Sequence, residues 1–262
     1  MNLENNNSGP LSFGDLESVQ SFKNMLFKYF EKSGLDPYIT GDWKKGIFEL
    51  FGVQTVNLPD LNSKNYILAS NHISDFDGII LGLLHPKIRI VAKMGWISDK
   101  ELFDFLKLHY DIVGVYRSVE LDKLNGEEKK EAEKHNYNTL KDFSNYLKNT
   151  DKSQEARHLL VFPQGTISDI NKNSKERVNS GFSKIAYNTK ASVINIFTEY
   201  PGFGKNTRIV CGNPYDVTER GLDYSRIWLD DVINLQNKLD NLRSPVFSEK
   251  HSNNNNPGDP FF

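Results

Sequence analysis

The sequence predicts an α/β fold with a mixed, mostly parallel central sheet flanked by helices, preceded by an N-terminal amphipathic helical hairpin. From residue 52 onward, short segments rich in β-branched residues alternate with segments of helical periodicity, which is the element order of such sheets. The chain has 262 residues, enough to bury a core without a disulfide or structural metal. Its single cysteine, Cys211, leaves no internal disulfide.

Local patterns define each element. The predicted strands are 52–56, 66–70, 88–92, 159–162, 192–197 and 207–211, because these runs are short and β-branched. The predicted helices are 15–32, 42–51, 77–84, 99–106, 127–148, 180–188 and 222–242. We divide the chain into an N-terminal amphipathic helical segment (1–51), an α/β domain (52–250) and a disordered tail (251–262), which is rich in Asn, Gly and Pro.

The first predicted helix carries an apolar stripe. Its members recur at steps of three and four residues: Leu16, Val19, Phe22, Leu26 and Phe30. Two interpretations stay open at this point. Either the stripe packs on the protein's own core, or it lies in the interface of a membrane.

Charge and hydropathy exclude several classes of protein. The formal net charge is −2, without the basic excess of a nucleic-acid-binding protein. The longest uninterrupted run of apolar residues and glycine, residues 78–84, has seven residues, against about 20 for a membrane span. The first ten residues are polar and lack the apolar region of a signal peptide. We therefore expect a cytoplasmic protein, with peripheral contact to the cytosolic face of a membrane left open.

Polar residues with catalytic potential follow the predicted strand 66–70. His72 and Asp77 are five positions apart, so they would lie about 140° apart on a continuous helix but can meet across a strand-to-helix turn. A carboxylate beside one imidazole nitrogen orients the ring and leaves the other nitrogen as a general base. The alternative is structural, because Ser74 and Asp77 also have the spacing of a helix capping box.

A second polar segment follows the predicted strand 159–162. It contains Pro163, Gln164, Gly165, Thr166 and Ser168, and a glycine turn of this kind lets a ligand approach backbone amides closely. A basic cluster comes next along the chain: Lys172, Lys175, Arg177 and Lys184. A solvated loop is the alternative interpretation of this segment.

Together the two segments resemble the glycerolipid acyltransferases, the family of 1-acylglycerol-3-phosphate acyltransferases. Residues 71–77, NHISDFD, match the family pattern N-H-x-S-x-x-D, and residues 162–168, FPQGTIS, are similar to its F-P-E-G-T-R-S block. Residues 91–93 and 114–117, which end in Lys93 and Arg117, resemble the segments between these blocks, whose arginine contacts the substrate phosphate. The resemblance covers roughly residues 52–215.

Two positions depart from the family pattern. Gln164 stands where the family has glutamate, which removes a charge and keeps a hydrogen-bonding carbonyl. Ile167 stands where the family has arginine, so a bidentate phosphate ligand is missing. The acceptor is therefore either held by Arg117 and nearby lysines, or is not a simple glycerol phosphate.

The resemblance implies acyl transfer from acyl-CoA or acyl carrier protein to a hydroxyl of a lysophospholipid such as 1-acylglycerol 3-phosphate, in phospholipid biosynthesis. It implies that His72 is the base and Asp77 orients it, with backbone N–H groups near Gly165 stabilising the oxyanion and no cofactor or metal required. Together with the basic cluster, it assigns substrate contacts to Asn71, Ser74, Lys93, Arg117, Pro163, Gln164, Gly165, Thr166, Ser168 and Lys175.

Three other functions are weighed against this one. The same fold can use glycerol 3-phosphate or a non-phosphate glycolipid as acceptor, and the missing arginine at Ile167 favours that branch. A catalytically weak lipid-binding protein is a further alternative, against which the intact His72 and Asp77 argue. A serine hydrolase is disfavoured because the sequence has no G-x-S-x-G nucleophile elbow.

Overall fold

The sheet is built from seven short strands in the part of the chain that the computed structural model describes, residues 16–74, 76–94, 104–148, 155–165, 178–179, 181–199, 206–219 and 224–242. They are β1 (Gln54–Val56), β2 (Tyr66–Ser70), β3 (Ile88–Lys93), β4 (Asp111–Val115), β5 (His158–Val161), β6 (Ser192–Glu199) and β7 (Arg208–Cys211). Their spatial order is β1-β7-β6-β2-β5-β3-β4.

The helices lie before, between and after these strands along the chain. They are α1 (Leu16–Ser33), α2 (Thr40–Leu50), α3 (Phe76–Gly82), α4 (Ser118–Leu121), α5 (Gly126–Lys148), α6 (Gly181–Thr189) and α7 (Tyr224–Leu242). Residues 104–106 are also helical, and the rest of the helix predicted over 99–106 lies outside the described residues. No helix in the described part of the chain is long and apolar enough to cross a membrane.

The sheet is mixed and mostly parallel, as the sequence predicts. Strands β6, β2, β5, β3 and β4 run parallel to one another, whereas β7 pairs with β6 in the antiparallel sense and carries β1 parallel to itself. The carboxyl ends of five neighbouring strands therefore lie along one edge of the sheet. That edge is where ligands bind in open α/β sheets.

Two hydrophobic cores cover the two faces of the sheet. Along β2, Tyr66 and Leu68 belong to one core and Ile67 and Ala69 to the other, because successive strand residues point to opposite faces. Helices α1, α2 and α3 cover the first face, and α5, α6 and α7 the second. The fold therefore has three layers, with β2 buried on both sides at the centre.

The helical hairpin of α1 and α2 packs into the first core. Leu26 and Phe30 are fully buried, and Phe30 stacks on Trp43 of α2 with ring centroids 5.5 Å apart. The helices approach so closely that a Cβ at Gly46 would lie 2.5 Å from the Phe30 ring. The Trp43 indole N–H also donates to the Tyr110 hydroxyl at 2.9 Å, which ties the hairpin to the residue before β4.

Burial resolves the two interpretations of the apolar stripe for the side chains that are described. Leu26 and Phe30 pack on the protein's own core. The side chains of Leu16, Val19 and Phe22 lie outside the described part of the structure.

Strand β4 and helix α4 are missing from the sequence prediction. The run that forms β4 contains Asp111 and Gly114, two residue types that are depleted in strands. Within the described part of the chain it pairs with β3 alone, at the edge of the sheet. Helix α4 has only four residues, too few for a helical period to be visible.

Candidate active site

Four of the parallel strands deliver the predicted site residues to one edge of the sheet. Asn71 and His72 follow β2, and Lys93 is the last residue of β3. Arg117 follows β4, and the segment 163–165 follows β5. The parallel register of these strands brings together groups that are far apart in sequence.

His72 and Asp77 form a hydrogen-bonded pair at this edge. The Nδ1 atom of His72 lies 3.3 Å from Oδ2 of Asp77. The Asp77 side chain is completely buried, whereas the imidazole is 18% exposed. With the proton on Nδ1 donated to the carboxylate, Nε2 carries a lone pair and is the nitrogen available to a substrate.

The same carboxylate oxygen also caps helix α3. Oδ2 of Asp77 accepts the backbone N–H groups of Ile73 at 2.8 Å and Ser74 at 2.9 Å. In return, the Ser74 hydroxyl accepts the N–H of Phe76 at 3.2 Å. The segment therefore serves as a helix cap and as a histidine–carboxylate pair at once. The capping box itself holds the carboxylate beside the imidazole.

Burial changes the protonation behaviour of Asp77. Removal from solvent raises the pKa of its carboxyl group, and the hydrogen bond from His72, its charge and the two backbone N–H groups oppose that rise. The second oxygen, Oδ1, is buried without a hydrogen-bond partner among the described residues. A positive charge on His72 would stabilise this carboxylate, which suits an imidazole that takes up a proton during a reaction.

The turn after β5 also contacts His72, through both its ring and its backbone. The imidazole stacks on the Phe162 ring with centroids 4.4 Å apart, and the backbone N–H of His72 donates to Oε1 of Gln164 at 2.7 Å. The turn closes with a hydrogen bond from the N–H of Gly165 to the carbonyl of Phe162 at 2.8 Å. Gly165 has a φ of +67°, a conformation that favours glycine.

The hydrogen bond that closes this turn removes one candidate donor from the expected oxyanion site. The N–H of Gly165 is committed to Phe162, so this particular amide is not free to receive an oxyanion. The next amide along the chain belongs to Thr166, which lies outside the described residues. Ser168 and Lys175, the two other predicted contacts of this segment, also lie outside them, as does Ile167.

Asn71 is bonded to the neighbouring strand. Its side-chain amide donates to the carbonyl of Thr198 at 2.9 Å and its Oδ1 accepts the N–H of Thr198 at 2.6 Å. Asn71 is completely buried. Both ends of the amide are therefore occupied by the backbone of β6, and this contact fixes the residue directly before His72.

Arg117 reaches the turn after β5 and has an acidic partner. Its guanidinium donates to the carbonyl of Gly165 at 3.1 Å and to Oε1 of Glu120 at 3.3 Å. The other carboxylate oxygen of Glu120 accepts the backbone N–H of Arg117 at 2.8 Å. Sequence reasoning missed Glu120, although an acidic residue three positions after a helix N-cap is the signal of a capping box.

Helix α5 holds the strand end that carries Arg117. Asn136 donates its side-chain amide to the carbonyl of Tyr116 and accepts the N–H of Tyr116, at 2.7 and 2.9 Å. Lys93 is exposed at the end of β3 and pairs in register with Val115 of β4. The structure therefore places Lys93 on the strand next to the one that leads to Arg117.

Comparison with known proteins identifies a family. The family model named Acyltransferase matches residues 52–199, a segment from β1 to β6 that includes His72, Asp77, Arg117 and Gln164. One similar solved structure is the 1-acyl-sn-glycerophosphate (LPA) acyltransferase PlsC from Thermotoga maritima, with a TM-score of 0.45, 16% sequence identity, and coverage of 88% of this chain and 84% of that chain. No curated protein sequence matches the chain.

Proposed function

Because the chain belongs to the acyltransferase family, we propose that it transfers a fatty acyl group from a thioester donor, acyl-CoA or acyl carrier protein, to a hydroxyl of a lysophospholipid such as 1-acylglycerol 3-phosphate. The observation that carries this proposal is the His72–Asp77 pair at the carboxyl edge of the sheet. The reaction serves phospholipid biosynthesis, and an amphiphilic acceptor brings the protein to a membrane surface.

The reaction needs a base and no enzyme nucleophile. Nε2 of His72 takes the proton of the acceptor hydroxyl, and the acceptor oxygen attacks the carbonyl carbon of the thioester. The tetrahedral intermediate collapses with cleavage of the C–S bond, and the departing sulfur takes the proton back from Nε2. Asp77 orients the ring and stabilises the imidazolium that exists between these two proton transfers.

A second candidate acceptor has no phosphate. Arg117, the residue expected to bind the phosphate, already faces the carboxylate of Glu120 and the carbonyl of Gly165. Its positive charge is therefore partly compensated inside the protein. In addition, position 167 is an isoleucine where the family block has arginine. Together these two features favour an uncharged acceptor such as a glycolipid over a phosphate monoester.

Purified protein tests the proposal directly. The wild-type chain is incubated with acyl-CoA or acyl carrier protein and with 1-acylglycerol 3-phosphate, and the acylated product is measured by mass spectrometry. We expect His72→Ala to lower the rate about 10²- to 10⁴-fold, the range that general-base catalysis contributes. Asp77→Asn should also lose most activity, because a neutral amide stabilises the imidazolium poorly.

Asp230→Asn is the matched control, since Asp230 is exposed on α7 and should tolerate the change. A folded His72→Ala variant with wild-type turnover contradicts the mechanism. Binding of lysolipid by the wild-type protein with no turnover of any donor supports the lipid-binding alternative instead.

A further inference from the structure

The catalytic imidazole is held by two groups of a single turn. Phe162 stacks on the ring of His72 and Gln164 accepts its backbone N–H. Both residues belong to the turn that Gly165 closes. The ring and the backbone of His72 thus contact one hydrogen-bonded turn, in which Gln164 lies 92 positions away in sequence.

The turn is itself fixed from two further directions. The carbonyl of Pro163 accepts the N–H of Asn179 at 2.7 Å, and the carbonyl of Gly165 accepts from Arg117 at 3.1 Å. Gln164 lies between these two carbonyls and is 8% exposed. A displacement of its side chain would leave the N–H of His72 without its acceptor, so the bond transmits the position of the turn to the base.

The charge of the side chain at position 164, which accepts the hydrogen bond from His72, affects the imidazole as well as its geometry does. Asp77 on α3 is a charged group in direct contact with His72, and the Arg117–Glu120 pair reaches the adjoining turn at the carbonyl of Gly165. Gln164 and Asn71 contribute neutral amides from the β5 and β2 segments. A carboxylate in place of Gln164 would be a second negative group in contact with His72, at its backbone N–H, and it would favour imidazolium over the free base.

We propose that Gln164 is the positioning residue for the His72 base, and that its neutral amide, where the family block has glutamate, accepts the N–H of His72 without adding a negative charge near the imidazole. The kinetic consequences rest on the proposed acyl transfer. Gln164 acts on His72 as a hydrogen-bond acceptor. An amide can therefore replace a carboxylate at this position, because Oε1 accepts the same N–H in either side chain.

Two variants of Gln164 test its positioning of His72 and the effect of its charge separately. Gln164→Glu retains an oxygen acceptor and adds a negative charge, whereas Gln164→Met retains the length and removes the acceptor. The titration midpoint of His72 is measured by NMR from the Cε1–H signal, assigned with His72→Ala. The pH profile of kcat/KM for acyl transfer is measured in parallel.

For Gln164→Glu we expect the His72 midpoint and the acidic limb of kcat/KM to move up by about one pH unit, with a nearly unchanged rate above both midpoints. For Gln164→Met we expect kcat to fall about 10- to 100-fold through misplacement of the base, with little change in the KM of the donor. The matched control is Gln54→Glu, which adds the same charge at an exposed position of β1 and should leave both readouts unchanged.

A Gln164→Glu protein with the wild-type His72 midpoint overturns the charge argument, and a folded Gln164→Met protein with wild-type kcat overturns the positioning argument. The NMR readout needs no turnover. If the wild-type chain transfers no acyl group, the proposed function fails while the midpoint shift still decides the charge argument. If Gln164→Met does not fold, Gln164→Glu tests both arguments: it keeps the hydrogen-bond acceptor, so a large fall of its rate above both midpoints overturns the positioning argument.

Discussion

At the scale of single residues, one buried carboxylate oxygen serves two purposes. Oδ2 of Asp77 accepts two backbone N–H groups at the start of α3 and faces Nδ1 of His72. Helix capping therefore gives the carboxylate its position, and the position gives the imidazole its orientation. A substitution of Asp77 acts on both, so stability must be measured with activity for every variant at this position.

Glu120 is the residue that we expect to modulate acceptor choice. Replacing Glu120 with Gln removes the negative charge that faces Arg117 and should lower the KM of a phosphate-bearing acceptor about 2- to 5-fold, the effect of a partly exposed ion pair. Arg117→Ala should raise that KM about tenfold or more, the loss of a charge-assisted hydrogen bond. Steady-state kinetics with varied acceptor measures both.

The KM of the thioester donor is the internal control for these two variants, and Glu133→Gln, at an exposed position of α5, is the matched surface substitution. If Arg117→Ala leaves the acceptor KM unchanged and an uncharged acceptor reacts as readily, the acceptor is not recognised by its phosphate. That result selects the second candidate function.

At the scale of elements, the α1–α2 hairpin is held by aromatic packing. Phe30 contacts both Trp43 and the face of Gly46, and Trp43 also stacks on His109 with centroids 4.5 Å apart. These contacts join the hairpin to the layer of helices on one face of the sheet. Leu26 and Phe30, the described part of its apolar stripe, therefore pack in the protein core.

Leu26 provides the test of that conclusion. Leu26→Ala should lower the free energy of unfolding by about 2–5 kcal/mol, as expected for a buried leucine, in urea titrations followed by circular dichroism. Leu140→Ala is the control: Leu140 is 45% exposed on α5, and a surface change should stay within about 0.5 kcal/mol. Unchanged stability of Leu26→Ala combined with lost liposome binding would instead support an interfacial stripe.

At the scale of the whole molecule, two histidines at the other end of the sheet link folding to pH. His158 is completely buried, and its Nδ1 accepts the N–H of Tyr66 at 3.2 Å. Burial, with the charge of the neighbouring His85, lowers the pKa of His158 to about 3. Burial and the charge of Lys44 also lower the pKa of His85. Both rings therefore take up a proton less readily in the folded protein than in the unfolded chain.

This protonation pattern predicts acid sensitivity. Below an unfolded-state pKa of about 6.5, the unfolded chain binds protons that folded His158 and His85 do not, so stability is present above that pH and falls as the pH decreases toward 3. Each such proton contributes a slope of about 1.4 kcal/mol per pH unit. The raised pKa of Asp77 acts in the opposite direction, because the folded state then binds its proton more readily.

Urea unfolding between pH 4 and pH 8 measures the slope. His158→Gln keeps a neutral hydrogen-bond acceptor but cannot take up a proton. We expect its unfolding free energy to fall less steeply with decreasing pH, by the slope that one proton contributes. An unchanged limb in a folded His158→Gln protein would show that other groups cause the acid sensitivity.

The sequence by itself determined the elements that carry local signals. The strand-to-helix order around His72 and Asp77, the glycine turn after β5, and the mostly parallel sheet all follow from residue types within a few positions of one another, because periodicity and turn chemistry are local properties. The sheet edge that carries His72 and Gln164 follows from the parallel order of the predicted strands, whereas Arg117 reaches it through β4, which the sequence did not predict.

Only the tertiary structure decided the contacts between distant segments. The bond from His72 to Gln164 joins residues 92 positions apart and the bonds between Asn71 and Thr198 join residues 127 apart, so neither leaves a local pattern. Edge strand β4, with its Asp111 and Gly114, is stabilised by pairing with β3 rather than by its own propensity. Whether an apolar stripe faces core or solvent depends in the same way on what the fold places against it, since helical periodicity defines the stripe and not its partner.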